Sequence, residues 1–175
     1  MLVEWEANVH TNLEPWWTRR STIPPLSDSS PPVSVPQCIA HRGYKAKYPE
    51  NTMRAFRAAA AVGAQAIETD LHLSRDGVVV LSHDGTLKRC FGIDKKIMDC
   101  DWEYLSTLRT IKEPHEPLPR LAELLDFLTE DGVNHMWLLL DIKVSGFSRP
   151  RYLLPRTILS LSLREPYRWT TTLKN

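Results

Sequence analysis

The segment over residues 66–73 constrains the fold most, because apolar and polar side chains alternate along it. Successive side chains of a strand point to opposite faces, so this alternation predicts a strand with one buried face. The opposite face carries Glu68, Asp70 and His72. Two carboxylates therefore point in one direction from a single strand.

A turn and a second strand follow at once. Arg75-Asp76-Gly77 is a turn signal, and residues 78–81 form a β-rich run that ends just before His83. Parallel neighbours need a crossover of about a dozen residues or more, so these two strands must be antiparallel. The fold-back predicts that His83 lies beside Glu68 and Asp70.

The rest of the central segment alternates between strand and helix patterns, which indicates an α/β fold. The predicted elements are a strand at 37–40, a helix from Asn51 or Thr52 through Val62, a short helix ending at Leu108, a leucine-rich helix from Pro119 to about Asp131, and a strand at 136–143.

Composition excludes several classes of protein. The chain has 175 residues, which is enough for about one domain. Its net charge of +1 lacks the basic excess of a nucleic-acid-binding protein. No apolar run approaches the ~20 residues of a transmembrane helix. Residues 1–10 lack the basic and apolar pattern of a secretory signal. We expect an intracellular protein, in the cytoplasm or peripheral on a membrane surface.

The three cysteines are few, odd in number and without a CxxC pair, which favours reduced thiols. Cys38 and His41 alone do not make a zinc site, because two further ligands at suitable spacing are missing.

Three segments differ in character. Residues 1–36 are rich in proline and serine and are predicted to be an irregular leader. Residues 37–143 hold the α/β pattern. Residues 144–175 carry six basic residues and one acidic residue, and we interpret them as a divergent basic tail.

Charged and polar residues cluster at the ends of the predicted strands, where active sites of α/β proteins gather. Each has an ordinary structural explanation by itself, as a core histidine, a solvated strand face or an ion pair. Together they fit a metal-assisted acid and base site. They are His41 and Arg42, Glu68 and Asp70, His83, and Asp141 and Lys143.

The order of these motifs resembles the glycerophosphodiester phosphodiesterase domain. The matching motifs are Ile39-Ala40-His41-Arg42-Gly43, Pro49-Glu50-Asn51-Thr52, Glu68-Thr69-Asp70, Asp76-Gly77 running into His83-Asp84, and Leu139-Leu140-Asp141-Ile142-Lys143. Within that family the chain looks most like the fungal phosphatidylglycerol phospholipase C branch, since many relatives have Glu where Asp141 stands.

The resemblance implies a TIM-barrel phosphoric diester hydrolase with a divalent metal, Mg²⁺ or Ca²⁺. It implies that His41 and His83 are the general acid and base, that Arg42 and Lys143 bind the substrate phosphate, and that Glu68, Asp70 and Asp141 are metal ligands with Glu50 nearby. The implied substrate is a glycerophosphodiester or a phospholipid, with peripheral membrane contact and no nucleic acid.

The resemblance covers residues 38–143, about the first half of a barrel of ~250 residues. We therefore expect a partial TIM barrel, truncated after Lys143. Two alternatives stay open: an inactive truncated or mispredicted product, and a phosphate- or lipid-binding module.

Overall fold

The structure, a computed structural model, describes residues 38–143 with their side chains and the backbone of three strands, at 20–23, 33–36 and 169–173. The chain divides into two compact units, Met1–Gln37 and Cys38–Asn175.

The first unit contains a two-stranded antiparallel sheet. Strand β1, Arg20–Ile23, pairs with β2, Val33–Pro36, so that Arg20 lies opposite Pro36 and Ile23 opposite Val33. The prediction of a wholly irregular leader is wrong for these two stretches. β-branched residues favour pleated strands, and a proline is tolerated at the end of a strand, where no ladder donor is needed.

The second unit is built on a mixed sheet. Four strands lie parallel in the order β3, β4, β6 and β7, and β5 pairs antiparallel with the end of β4. Their bounds are Ile39–His41, Ala66–Leu73, Trp137–Ile142, Trp169–Leu173 and, for β5, Val79–Leu81. The predicted antiparallel pair and the α/β class are confirmed.

Helix α1, Met53–Ala61, connects the parallel strands β3 and β4. It begins at Thr52, whose hydroxyl oxygen accepts a hydrogen bond from the amide of Ala55 at 3.3 Å. It ends before Gly63, whose positive φ of 84° suits a residue without a Cβ. Both ends therefore lie where the capping residues predicted them.

A core lies between the sheet, α1 and a later helix, α4, at Leu121–Phe127. Phe56 of α1, Ile67 of β4 and Leu124 of α4 are each fully buried there. Helix α4 is Leu121–Phe127, shorter than the leucine pattern predicts.

The long connection between β5 and α4 has a core of its own. Leu87, Ile97 and Leu105 are buried in it together with Val80 of β5. The connection contains α2, Lys88–Phe91, a turn of 3₁₀ helix at Ile97–Asp99, and α3, Trp102–Ser106. Of these, the sequence predicted only a helix in the region of α3.

Strand β7 was not predicted, because residues 144–175 were interpreted only as a divergent basic tail. In the part of the chain that the structure describes, no helix combines the length and apolar character that a bilayer crossing requires.

Candidate active site

Three carboxylates converge on one face of the sheet. Glu68 and Asp70 stand two residues apart on β4, and Asp141 lies on β6 directly opposite Asp70 in the parallel register. One oxygen from each lies within 4.8 Å of the others. Three carboxylate oxygens are a donor set that suits a hard divalent cation. The structure thus brings together three of the four predicted metal ligands.

The ammonium group of Lys143 lies among these carboxylates. Its Nζ is 3.0 Å from Oδ1 of Asp70 and 2.7 Å from Oδ2 of Asp141. Burial opposes the charged amine, but the hydrogen bonds to Asp141 and Asp70 outweigh it and raise the pKa of Lys143. Burial and the negative charge of Asp70 raise the pKa of Glu68. A further cation would stabilise the ionised form of Glu68. The three carboxylates are therefore suited to binding a metal ion.

Arg42 reaches the same group of carboxylates from the loop after β3. Its Nε is 3.3 Å from Oδ2 of Asp70, and its Nη1 donates to Oε1 of Glu50 at 3.3 Å. The backbone of Arg42 has a φ of 61°, an uncommon conformation for a residue with a side chain. At the next residue, Gly43, an added Cβ would lie 2.8 Å from the carbonyl carbon of Ala55. The tight loop therefore requires glycine there.

Asn51 holds Asp70 in place. Its Nδ2 donates to Oδ2 of Asp70 at 3.1 Å, and its Oδ1 accepts from the hydroxyl of Thr69 at 2.8 Å. All three residues are buried. Sequence reasoning considered Asn51 only as a helix cap and missed this contact, although the Pro49-Glu50-Asn51-Thr52 motif marks the position.

His41 lies at the edge of the carboxylates. Its Nε2 is 3.8 Å from Oε2 of Glu68, and its Nδ1 is 2.8 Å from Nζ of Lys45. An ammonium group only donates, so Nδ1 accepts in this contact and the imidazole is neutral. Burial and the charges of Lys45 and Arg42 lower the pKa of His41. Both effects favour the neutral imidazole.

His83 follows β5, one residue after Ser82, whose amide donates to the carbonyl of Asp70 at 3.0 Å. The fold-back predicted for the two antiparallel strands is thus present. Nδ1 of His83 donates to Oδ1 of Asp84 at 2.7 Å. The carboxylate orients the ring and leaves Nε2 available to exchange a proton. His72, which shares the strand face of Asp70, contacts the carbonyl of His83 through its Nε2 at 3.3 Å.

Arg89 of α2 links Asp84, the partner of His83, to Glu50, the partner of Arg42. Its Nε donates to Oδ2 of Asp84 at 2.6 Å, and its Nη2 donates to Oε1 of Glu50 at 2.7 Å. Glu50 is therefore held by two guanidinium groups, those of Arg42 and Arg89. It does not belong to the group of three carboxylates that could hold a metal, and its role as a ligand stays a prediction.

The sequence profile described as the glycerophosphoryl diester phosphodiesterase family matches residues 41–149, more than half of the chain. The chain belongs to the glycerophosphoryl diester phosphodiesterase family. The domain-level resemblance in the motifs is thereby confirmed.

Individual relatives of the family agree. A glycerophosphodiester phosphodiesterase from Bacillus altitudinis is 36% identical over 97 residues, which cover 53% of this chain and 40% of that protein. A lysophospholipase D from Homo sapiens is 44% identical over 119 residues, which cover 62% of this chain and 36% of that protein. The chain spans about two fifths of the length of these curated relatives.

Solved structures of the family share the fold. A phosphodiesterase from Oleispira antarctica, in complex with the product sn-glycerol-3-phosphate, has a TM-score of 0.67 and 26% identity, covering 80% of this chain and 58% of that chain. A glycerophosphodiester phosphodiesterase from Thermotoga maritima has a TM-score of 0.58 and 31% identity, covering 77% of this chain and 54% of that chain. The predicted partial barrel of the glycerophosphodiester phosphodiesterase type is confirmed.

The contacts around Arg89 predict how this family member responds to acid. Hydrogen bonds from Arg89 lower the pKa of Asp84, and those from Arg89 and Arg42 outweigh burial to lower the pKa of Glu50. A carboxylate whose pKa is lower in the folded state stabilises the fold at pH values above its ordinary pKa, which is 3.8 for Asp84 and 4.5 for Glu50. This stabilisation is lost as the pH falls through the pKa of the folded state.

We expect Arg89→Gln to reduce the difference in free energy of unfolding between pH 7 and pH 3 by about 0.5–1 kcal/mol. The effect is small because the ion pairs of Arg89 with Asp84 and Glu50 are partly exposed to solvent. Urea unfolding at the two pH values measures it. Arg75→Gln, which removes an ion pair with the exposed Asp101, is the control and should have a smaller effect that high salt abolishes. An equal difference for wild type and Arg89→Gln would contradict the prediction.

Proposed function

We propose that the chain carries the catalytic residues of a metal-dependent phosphoric diester hydrolase that acts on glycerophosphodiesters. The observation that supports this best is the group of three carboxylates, with the side chains of Arg42 and Lys143 in contact with them and His41 at their edge. The matched family and relatives named as glycerophosphodiester phosphodiesterases support the same activity.

Glu68, Asp70 and Asp141 would hold a divalent cation, Mg²⁺ or Ca²⁺ by the hardness of their oxygen ligands. When bound, such a cation neutralises phosphate charge and makes a nearby hydroxyl more acidic. Arg42 and Lys143 would add positive charge for the phosphate oxygens, and Arg42 has the planar donors that match two of them.

The two histidines would move the protons. A hydroxyl oxygen forms a bond to phosphorus while the bond from phosphorus to the leaving alcohol oxygen breaks. One histidine takes the proton of the attacking hydroxyl, and the other gives a proton to the leaving alkoxide. The imidazole of His41 and the Nε2 of His83 would carry out these two tasks.

A glycerol headgroup supplies its own nucleophile. Its hydroxyl next to the ester oxygen can attack phosphorus intramolecularly, with a large gain in effective concentration, and water then opens the cyclic phosphate. Phosphatidylglycerol and glycerophosphodiesters both have this hydroxyl. We propose phosphatidylglycerol as a substrate, cleaved on the diacylglycerol side as in a phospholipase C, in line with the resemblance to the fungal branch.

The purified chain with Mg²⁺ or Ca²⁺ should therefore release diacylglycerol from phosphatidylglycerol. Phosphatidylpropanol is the matched control, since its headgroup lacks the hydroxyl, and we expect it to react at least about 1,000-fold more slowly. Quantifying diacylglycerol against time measures both. Choline release from glycerophosphocholine without diacylglycerol from phosphatidylglycerol would refute the lipid assignment, and equal rates for the two lipids would refute intramolecular attack.

A further inference from the structure

A basic and apolar surface lies beside the candidate active site. It consists of Tyr44, Lys45, Lys47, Ile111 and Lys112, and we call it the basic ledge. Two separate loops form it, and Lys112 joins them, because its Nζ donates to the carbonyl oxygens of Lys45 at 3.0 Å and Tyr48 at 3.1 Å. The ledge is therefore one surface in space although its residues are far apart in sequence.

The apolar members of the ledge are exposed. Ile111 exposes 60% and Tyr44 36% of their surface, and both belong to the few large hydrophobic residues that the described region leaves open. A single exposed isoleucine is ordinary. Ile111, however, is next to Lys112 in sequence and lines the same cleft as Lys45. An exposed apolar side chain beside lysines is the arrangement that suits the boundary between lipid headgroups and acyl chains.

The positive charges of the ledge face uncharged partners. The ammonium group of Lys45 contacts the imidazole of His41, that of Lys47 lies 5.6 Å from the centre of the Tyr48 ring, and that of Lys112 contacts backbone carbonyls. None of these contacts neutralises a charge. Three positive charges therefore remain to attract an anionic partner.

The ledge shares a cleft with two residues at the edge of the candidate site. A cleft of about 540 Å³ is lined by Lys45, Ile111 and Lys112 on the side of the ledge and by Glu50 and Arg89 on the side of the site. Lys45 also contacts the catalytic candidate His41. A partner lying on the ledge would therefore lie beside His41, Glu50 and Arg89.

We propose that the basic ledge docks on an anionic lipid surface and presents lipid headgroups to the site. This rests on the proposed function, because it specifies how a lipid substrate reaches the carboxylates and histidines. The lysines attract the anionic headgroups, each worth about a fivefold gain in affinity near such a surface, and Ile111 enters the apolar boundary.

Co-sedimentation of the full chain with vesicles tests the proposal. Phosphatidylcholine vesicles with and without phosphatidylglycerol are compared in a buffer with EDTA, so that binding is measured without turnover. We expect binding only to the vesicles with phosphatidylglycerol, and weaker binding at high salt. Lys47→Gln should weaken binding about fivefold and Lys47→Gln with Lys112→Gln about 25-fold.

Two variants provide controls that match the ledge residues in kind. Lys88→Gln removes an exposed lysine whose ammonium group faces Asp94, and Val62→Asp changes an exposed apolar residue at the end of α1. Both should bind vesicles like the wild type, whereas Ile111→Asp should bind at least about fivefold more weakly. Thermal unfolding shows whether each variant is folded. If the variant with Lys112→Gln does not fold, Lys47→Gln alone still tests the proposal.

The outcomes separate this proposal from the proposed function. Equal binding to both kinds of vesicle, or equal losses in ledge and control variants, would overturn the ledge even if glycerophosphodiesters are hydrolysed. Binding that depends on phosphatidylglycerol and on the ledge residues would support it even if no diacylglycerol forms when metal is added, a result that would instead refute the lipid substrate.

Discussion

Replacing Asp70 with Asn is expected to abolish the proposed hydrolysis and to remove the stabilisation that we expect millimolar Mg²⁺ or Ca²⁺ to give the folded chain. Asp70 exposes 1% of its surface, and its two oxygens face Lys143, Arg42 and Asn51. A ligand that binds only the folded state raises its stability, by about 2.7 kcal/mol at 100 times its dissociation constant. We expect a loss of activity of about 1,000-fold or more, because a bound metal contributes several kcal/mol of charge stabilisation.

A thermal unfolding scan with and without metal measures the stabilisation, and an assay of choline release from glycerophosphocholine measures the activity. Comparing the metal-induced shifts in Tm, and not the Tm values themselves, corrects for any destabilisation of the metal-free variant. Asp94→Asn is the control, since that carboxylate is largely exposed and should leave the shift unchanged. A metal-induced shift in Asp70→Asn equal to that of the wild type would place the metal elsewhere. A wild type that does not respond to metal would refute the metal site itself.

His41→Ala and His83→Ala are each expected to lower kcat about 100- to 10,000-fold while KM changes little, because each would remove a proton transfer and not a binding contact. A substrate with nitrophenol as the leaving group distinguishes their tasks. Nitrophenolate leaves without receiving a proton, so the variant that lacks the general acid should regain activity on it. The variant that lacks the general base should not.

Steady-state kinetics of both variants on glycerophosphocholine and on the nitrophenyl diester measure this. His135→Ala, which changes an exposed histidine, serves as the control and should behave like the wild type. Losses below about tenfold for both histidines, or equal recovery of both on the nitrophenyl diester, would contradict the assignment of an acid and a base.

The strands that carry the site were predictable because their patterns are local. The alternation along β4 gave its bounds at both ends, and the turn before β5 required an antiparallel neighbour. Parallel pairing of β4 with β6 then brings Asp70 and Asp141 to the same level. Helix α1 was equally accessible, since Thr52 and Gly63 mark its ends.

The contacts that orient these residues were not predictable in the same way. Arg89 lies on a helix of four residues, too short to show a period, and reaches Glu50 across 39 positions of sequence. Lys45 was one of several lysines in a loop until the fold placed its ammonium group on His41. A motif names the residues that take part in a site, but a side chain that bridges two loops leaves no local pattern.

The register between β4 and β6 also bears on the order of events during folding. The carboxylates that could bind a metal come from two strands separated by the whole stretch that includes β5 and three helices, so they meet only after a long loop has closed. A one-residue slip between the strands would turn the residues of one strand to the opposite face and separate Asp70 from Asp141. We therefore expect metal to bind late in folding, after β4 and β6 have paired in the correct register. In a refolding experiment, the rate of metal binding would then measure the rate at which these two strands pair.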